Sequence, residues 1–195
     1  MSEECEKICF QRCIMNFHNY LRKMKEKVTN MERNFQDLSE NHKKLLPKRL
    51  KILEEISTLS YHNQQIINQV LEHAEKSEIG YPFEKNPEII RKNSGHFDRV
   101  KTTLKQVSRD WSLYGEEERS KSYGPVLDLL NCEFPAEDFD RSQIKVLSPG
   151  SGMGRLPWEI FSHGFHSEGC EFSWYMILFR YIFLEIVLSF FFSLT

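Results

Sequence analysis

The sequence lacks a surplus of basic residues. Its 26 Lys and Arg stand against 28 Asp and Glu, so the 195-residue chain has a formal net charge of −2. A general nucleic-acid binder needs excess basic side chains to displace the counterions of the phosphate backbone, so no nucleic-acid partner is expected. A hydrophobic fraction of 40% and 15 Phe exclude a wholly disordered chain.

Cysteine is scarce and odd in number, with five residues. This count indicates reduced thiols in an intracellular protein, and the charged N-terminus lacks the apolar core of a signal peptide. We expect a cytoplasmic protein, with the nucleus as a second location. Cys5, Cys9 and Cys13 are four residues apart on one predicted helix face. Because no His or acidic partner is evident, we interpret them as packing residues and predict no metal site.

Charge is scarce after residue 143, where residues 144–195 carry three basic and four acidic side chains. This change predicts three parts: a helical N-terminal region over 1–95, part of a cofactor domain over 96–178, and a divergent apolar tail over 179–195. We therefore expect an α/β protein with a helical N-terminal region.

Apolar residues recur at three- and four-residue steps through residues 4–75, as in amphipathic helices. The pattern predicts two long helices joined near residues 40–47, with Pro47 in the first turn of the second. Gly and Pro in 76–95 predict a linker. The helices could pair with a partner or with a second copy, so a homodimer stays open.

Helical spacing resumes at Phe97 and reaches Trp111. A further helix is predicted over 115–131, with a kink or a restart at Pro125. A β-branched run then predicts a strand from Ile144. A glycine turn, a helix that ends near Gly164 and a second strand over 166–171 follow.

Gly150, Gly152 and Gly154 alternate directly after a predicted strand and before a predicted helix. Without Cβ atoms, such a turn bends sharply and lets a cofactor approach the backbone. Glu171 lies 21 residues past Gly150, where a carboxylate can accept hydrogen bonds from both ribose hydroxyls. Together these features predict the opening half of a nucleotide-binding sheet.

The third glycine comes two residues after the second, whereas in the dinucleotide fingerprint G-x-G-x-x-G it comes three residues after the second. S-adenosylmethionine carries no phosphate and needs no free helix N-terminus, so the spacing favours it. Glycine turns vary, and a dinucleotide stays an alternative.

Two runs carry a family resemblance: TLKQVSRDWSLYGEEERSKSYGPVLDLL and VLSPGSGMGRLPWEIFSHGFHSEGCEFSWYMIL. The stretch 45–178, which includes both runs, resembles the N2227-like family. The resemblance implies a class I methyltransferase (Rossmann-like) sheet after a helical N-terminal region. It also implies methyl transfer from S-adenosylmethionine to an imidazole nitrogen of carnosine, a small dipeptide, to give anserine.

The resemblance places cofactor-binding residues on Gln106, Arg109, Gly150 and Glu171. Gln106 and Arg109 are three residues apart on a helix and point the same way. Arg109 could clamp the methionine carboxylate with two hydrogen bonds. The alternative is an ion pair of Arg109 with Asp110 or with a neighbouring Glu.

Trp111, Arg119 and Tyr123 also match the family pattern, and we interpret them as lid or packing residues. His163 and His166 flank a predicted turn and number too few for a metal site, so we expect them to face solvent.

The resemblance fades after Ile177, and no position matches the family's acceptor-binding residues. We therefore expect an incomplete sheet, a C-terminally truncated form and little activity, with catalytic residues unassigned. The apolar segment 174–195 is interrupted by Arg180 and Glu185, so its summed insertion free energy is near zero. The alternative function is a non-catalytic helical interaction protein with a C-terminal membrane anchor.

Overall fold

The structure is a computed structural model that describes residues 2–83 and 97–192, with side chains up to residue 184. It divides into two compact units at Val100 and Lys101. Most of the predicted linker, from residue 84 to 95, lies outside the described residues. The predicted boundaries at 95 and 178 stay predictions.

The first unit is helical. Its helices are α1 (Glu3–His18), α2 (Tyr20–Gln36), α3 (Glu40–Lys44), α4 (Arg49–Lys76) and the first residues of α5 (Phe97–Trp111). Helices α1 and α2 both pack against α4. The core is a set of apolar side chains at the predicted spacing: Phe10, Cys13, Ile14, Phe17, Leu53, Ile67, Val70 and Leu71.

The first predicted long helix is in fact two helices that meet at Asn19, so that prediction was wrong. The Asn19 side chain donates through Nδ2 to the Met15 carbonyl over 2.9 Å, while the Asn19 carbonyl accepts the first hydrogen bond of α2 from Lys23 over 3.0 Å. Asn competes for helix carbonyls in this way. Periodicity alone does not detect such a break.

Pro47 also lies elsewhere than predicted. It is in the turn before α4, which the Arg49 amide closes by donating to the Leu46 carbonyl over 3.0 Å. Of the three N-terminal cysteines, only Cys13 is buried, and Cys5 and Cys9 are exposed.

Burial raises the pKa of the Cys13 thiol well above its usual value, so this side chain packs as a neutral thiol.

Exposed apolar side chains remain along α4, among them Leu50, Leu59 and Ile66. The homodimer, in which such side chains would pack against a second copy, stays a prediction.

The second unit is mixed α/β. After α5 come a 3₁₀ turn (Leu113–Gly115), α6 (Glu116–Glu133), a 3₁₀ turn (Arg141–Gln143), β1 (Lys145–Pro149), α7 (Arg155–Ser162), β2 (His166–Cys170) and α8 (Trp174–Phe192). Helix α6 is continuous through Pro125, so the predicted restart is wrong.

Strands β1 and β2 form a two-stranded parallel sheet in which Lys145 pairs with His166 and Pro149 with Cys170. Helix α7 connects the strands and packs on both. This confirms the predicted strand–turn–helix–strand unit.

Helix α8 contributes buried side chains to the second unit, including Leu178 and Phe179. Within the described ranges, no helix is both long and apolar enough to span a bilayer.

Candidate cofactor site

The glycine turn between β1 and α7 depends on left-handed backbone conformations. Gly150, Gly152 and Gly154 have φ values of +63°, +54° and +77°, a region that side chains with a Cβ rarely adopt. A Cβ on Gly150 would meet no atom within 4 Å, whereas one on Gly154 would lie 2.9 Å from Cδ of Arg180. Gly150 therefore leaves open space, and Gly154 makes room for a packed arginine.

Glu171 follows β2 directly and holds the glycine turn. Its Oε2 accepts a hydrogen bond from the Gly152 amide over 2.9 Å. Its Oε1 accepts from the Phe172 amide over 2.9 Å and from the Ser173 amide over 2.8 Å. A carboxylate offers about four acceptor positions, so Glu171 retains capacity for a further donor.

These elements surround a cavity of about 470 Å³. Of the six residues predicted to bind a cofactor, five line it: Gln106, Arg109, Gly150, Gly152 and Glu171. Gly154 is not among the lining residues and instead precedes α7. Helix α5, the turn after β1 and the end of β2 thus contribute to one cavity, although they are far apart in sequence.

Arg109 forms the ion pair with Asp110 that was the alternative interpretation of this residue. Its Nε donates to Asp110 Oδ1 over 2.7 Å and its Nη2 to Asp110 Oδ2 over 3.2 Å. The hydrogen bond from Asp110 raises the pKa of Arg109. One edge of the guanidinium is therefore engaged. Among the residues that the structure describes, Nη1 has no hydrogen-bond partner, so the Nη1 side is available to a ligand.

Sequence reasoning missed Asp110 as part of the site. Its side chain is only 2% exposed, and the Tyr123 hydroxyl donates to its Oδ1 over 3.0 Å. Burial, followed by the negative charge of Asp110, raises the pKa of Tyr123 to about 12. The sequence offered only one sign of this role, namely that Asp110 adjoins Arg109.

Trp111 has the packing role that we predicted. Its Nε1 donates to the Met153 carbonyl over 3.2 Å, and its ring stacks on Phe183 with centroids 5.9 Å apart. The Arg155 guanidinium lies over the rings of Trp111 and Trp158, at 5.1 and 4.8 Å. These contacts fix the start of α7 beneath the glycine turn.

A second cavity of about 520 Å³ lies beside Trp111, Arg119 and Arg155. Both cations are already engaged. Arg155 pairs with Glu159 at 2.5 Å, and Arg119 donates to the carbonyls of Arg109 and Ser112. The two arginines of this cavity therefore offer a ligand little unsatisfied positive charge.

Arg180 also reaches the glycine turn, although the sequence suggested only an interruption of an apolar tail. Its Nη1 donates to Ser151 Oγ over 2.9 Å, and Ser151 Oγ in turn donates to the Cys170 carbonyl over 3.1 Å. Helix α8 thus helps to hold the turn against the end of β2.

The two turn histidines have nearby partners. His163 Nδ1 lies 3.1 Å from Asn131 Nδ2 and is part-buried, so the expectation that it faces solvent is only partly met. His166 is exposed and lies 3.1 Å from Glu168. In the part of the chain that the structure describes, no group of three or more His, Cys, Asp or Glu could hold a metal ion.

A two-stranded parallel β-α-β unit, a left-handed glycine turn and an acid at the end of the second strand are consistent with part of a methyltransferase-like α/β fold. A family model described as carnosine N-methyltransferase matches residues 86–190. The chain belongs to this family. The match confirms the resemblance and extends beyond Ile177, where the resemblance was expected to fade.

Curated relatives carry the same name. The carnosine N-methyltransferase of Mus musculus is 36% identical over 179 residues, which cover 90% of this chain and 44% of the mouse protein. That of Schizosaccharomyces pombe is 44% identical over 105 residues, or 54% of this chain and 28% of the yeast protein. The chain therefore spans less than half the length of these relatives.

Proposed function

We propose that this chain binds S-adenosylmethionine in the cavity between α5, the glycine turn and Glu171. We also propose that the protein transfers the methyl group to an imidazole nitrogen of carnosine, giving anserine. The observation that carries the proposal is the shared cavity: a cation on α5, left-handed glycines and a strand-end carboxylate line the same space. The family supplies the reaction class.

The lining residues fit the chemical groups of this cofactor. Glu171 has acceptor capacity left for ribose hydroxyls. Arg109 presents its Nη1 side to the methionine carboxylate, and Gln106 adds a neutral hydrogen bond. The volume of about 470 Å³ lies within the ordinary range of roughly 300–1,000 Å³ for small-molecule sites.

When bound, S-adenosylmethionine supplies an electrophilic methyl group on a sulfonium. The residues of this chain bind and orient that ligand through its ribose and its carboxylate. An imidazole nitrogen must be neutral to act as a nucleophile, so positioning and imidazole protonation control the rate.

The cofactor assignment is tested by calorimetric titration of the chain with S-adenosylhomocysteine and, in parallel, with NAD. We expect S-adenosylhomocysteine to bind at least about tenfold more tightly, a difference of about 1.4 kcal/mol. NAD binding of equal or greater strength would favour the dinucleotide alternative and overturn the proposal.

The site is tested by Glu171→Gln. Hydrogen bonds to a charged group contribute about 1.5–3 kcal/mol, so we expect S-adenosylhomocysteine to bind about 10- to 100-fold more weakly. The matched control is Glu168→Gln, an exposed carboxylate on β2, which should change the affinity less than about twofold because it is not a lining residue. Similar losses in both variants would contradict the assignment.

Transfer itself is tested with methyl-labelled S-adenosylmethionine and carnosine, with the mouse relative as the positive control. Labelled anserine supports the full proposal. Cofactor binding without a labelled product would restrict the role of this chain to holding the cofactor.

A further inference from the structure

We infer that Asp110 and Tyr123 are positioning residues that hold the Arg109 guanidinium so that the cavity selects ligands bearing a carboxylate. The inference rests on the proposed function and deepens it, because it names the groups that give one end of the cofactor site its specificity.

The first step is the environment of Asp110. This carboxylate is 2% exposed and accepts three hydrogen bonds: two from Arg109, over 2.7 and 3.2 Å, and one from the Tyr123 hydroxyl over 3.0 Å. A buried carboxylate is costly unless it is paired and hydrogen-bonded. Asp110 therefore fixes the plane of the Arg109 guanidinium through two of its nitrogens.

The second step is Tyr123, which connects helix α6 to this pair. Its hydroxyl donates to Asp110 and also lies 3.4 Å from Nη2 of Arg109, which donates to it. A phenol is protonated at neutral pH even at its ordinary pKa of about 10, and burial raises the pKa of Tyr123 to about 12, so the hydroxyl remains a donor to Asp110. Tyr123 therefore keeps the Asp110 carboxylate oriented towards Arg109.

The third step is the backbone under Arg109. The Arg119 guanidinium donates to the carbonyls of Arg109 and Ser112. Gly115 packs so closely on the Arg109 backbone that a Cβ there would overlap it. Both ends of the Arg109 residue are therefore held before any ligand arrives.

A held arginine favours carboxylate binding because less side-chain entropy is lost when the ligand binds. The Asp110 pair occupies Nε and part of Nη2, and the Arg109 side chain, which is 35% exposed, lines the cavity. Asp110 is not a lining residue, whereas Tyr123 lines the cavity beside Arg109, and under this inference both act through Arg109. Removal of either side chain should selectively weaken the binding of ligands that carry a carboxylate.

The test uses the full chain and two ligands. S-adenosylhomocysteine carries the carboxylate, and 5′-S-(3-aminopropyl)-5′-thioadenosine is the same molecule without it. We expect Tyr123→Phe to weaken the binding of S-adenosylhomocysteine about 3- to 10-fold, as expected for the loss of one hydrogen bond. The affinity for the decarboxylated ligand should change less than about twofold. The control is Tyr114→Phe, a hydroxyl removed from a side chain that is 92% exposed, which should change neither affinity.

A double-mutant cycle with Arg109→Ala separates positioning from general structure. If Tyr123 acts through Arg109, Tyr123→Phe has no further effect on S-adenosylhomocysteine in the Arg109→Ala background. Parallel losses for both ligands, or an undiminished loss in that background, would overturn the inference and leave the proposed function standing.

Asp110→Asn gives a second measure of the same effect. It keeps the side-chain shape but removes the charge, and we expect a larger selective loss than for Tyr123→Phe, at least about tenfold. If this buried variant does not fold, the result for Tyr123→Phe alone decides whether the inference stands. If the unaltered chain binds neither ligand, the proposed function itself fails, and the inference fails with it.

Discussion

Among the residues that the structure describes, the first unit buries only uncharged polar side chains, whereas the second unit also buries the carboxylate of Asp110. In the first unit, Asn16 donates to the carbonyl of Arg12 and Ser60 to that of Ile56, each four residues earlier in its own helix. In the second unit, Asp110 on α5 accepts from Tyr123 on α6, and the Glu171 carboxylate holds the glycine turn. The contacts of Asn16 and Ser60 each stay within one helix, although buried Gln11 of the same unit donates to the distant Pro82 carbonyl over 2.6 Å. The contacts of Asp110 and Glu171 order separate elements around a cavity, as a binding site requires.

The largest expected effect concerns the apolar core of the first unit. Leu53 on α4 is fully buried, whereas Leu59 on the same helix is 57% exposed. We expect Leu53→Ala to lower the free energy of unfolding by about 2–5 kcal/mol because it leaves a cavity, and Leu59→Ala to change it by less than about 0.5 kcal/mol. Urea denaturation followed by circular dichroism measures both.

Cofactor affinity sharpens this first test. At urea concentrations too low to unfold the variant, Leu53→Ala should leave the affinity for S-adenosylhomocysteine unchanged, because all cavity-lining residues belong to the second unit. Loss of binding by folded Leu53→Ala protein would break the comparison between the units.

The next effect concerns the glycine turn. Gly154→Ala places a Cβ at a φ of +77° and 2.9 Å from Arg180 Cδ, so we expect a loss of about 1–3 kcal/mol in stability. The control, Gly124→Ala, lies inside α6 with no atom within 4 Å of its Cβ position, and should stabilise the chain by about 0.5–1 kcal/mol. Thermal unfolding measures both changes, and effects of the same sign would contradict the role of the turn.

The smallest effect is the ionisation of Tyr123. Burial raises its pKa from 10.0 to about 12, so between these values the folded chain binds a proton that the unfolded chain has lost. Its contribution to stability is therefore complete below pH 10 and is lost as the pH rises towards 12. The difference in phenolate absorbance between the unaltered chain and Tyr123→Phe should show a midpoint near 12. A midpoint near 10 would contradict the buried contact with Asp110.

Local features of the fold were predictable. The strand at 145–149, the turn and the acid after β2 all follow from residues that are neighbours in sequence, because strand runs and glycine turns depend on local backbone preferences. The break at Asn19 was not predictable from periodicity, since the apolar stripe continues on both sides of it. It depends on one side chain that competes for a helix carbonyl.

The candidate site was predictable in its members and less so in their bonding. Gln106, Arg109 and Glu171 were selected from spacing and resemblance, and all three line the cavity. That Arg109 engages Asp110 could be stated only as an alternative. Whether Arg109 pairs with Asp110 depends on the burial of Asp110 and on a hydrogen bond from the hydroxyl of Tyr123, which is 13 residues away.

The sequence by itself determined the helical stripes, the β-α-β unit with its glycine turn, and the family, because each depends on short-range patterns of residue type. Only the tertiary structure decided which side of Arg109 is available and that Arg180 supports the turn through Ser151. The physical reason is that burial and hydrogen-bond partners are set by residues distant in the chain, whose approach no local preference specifies.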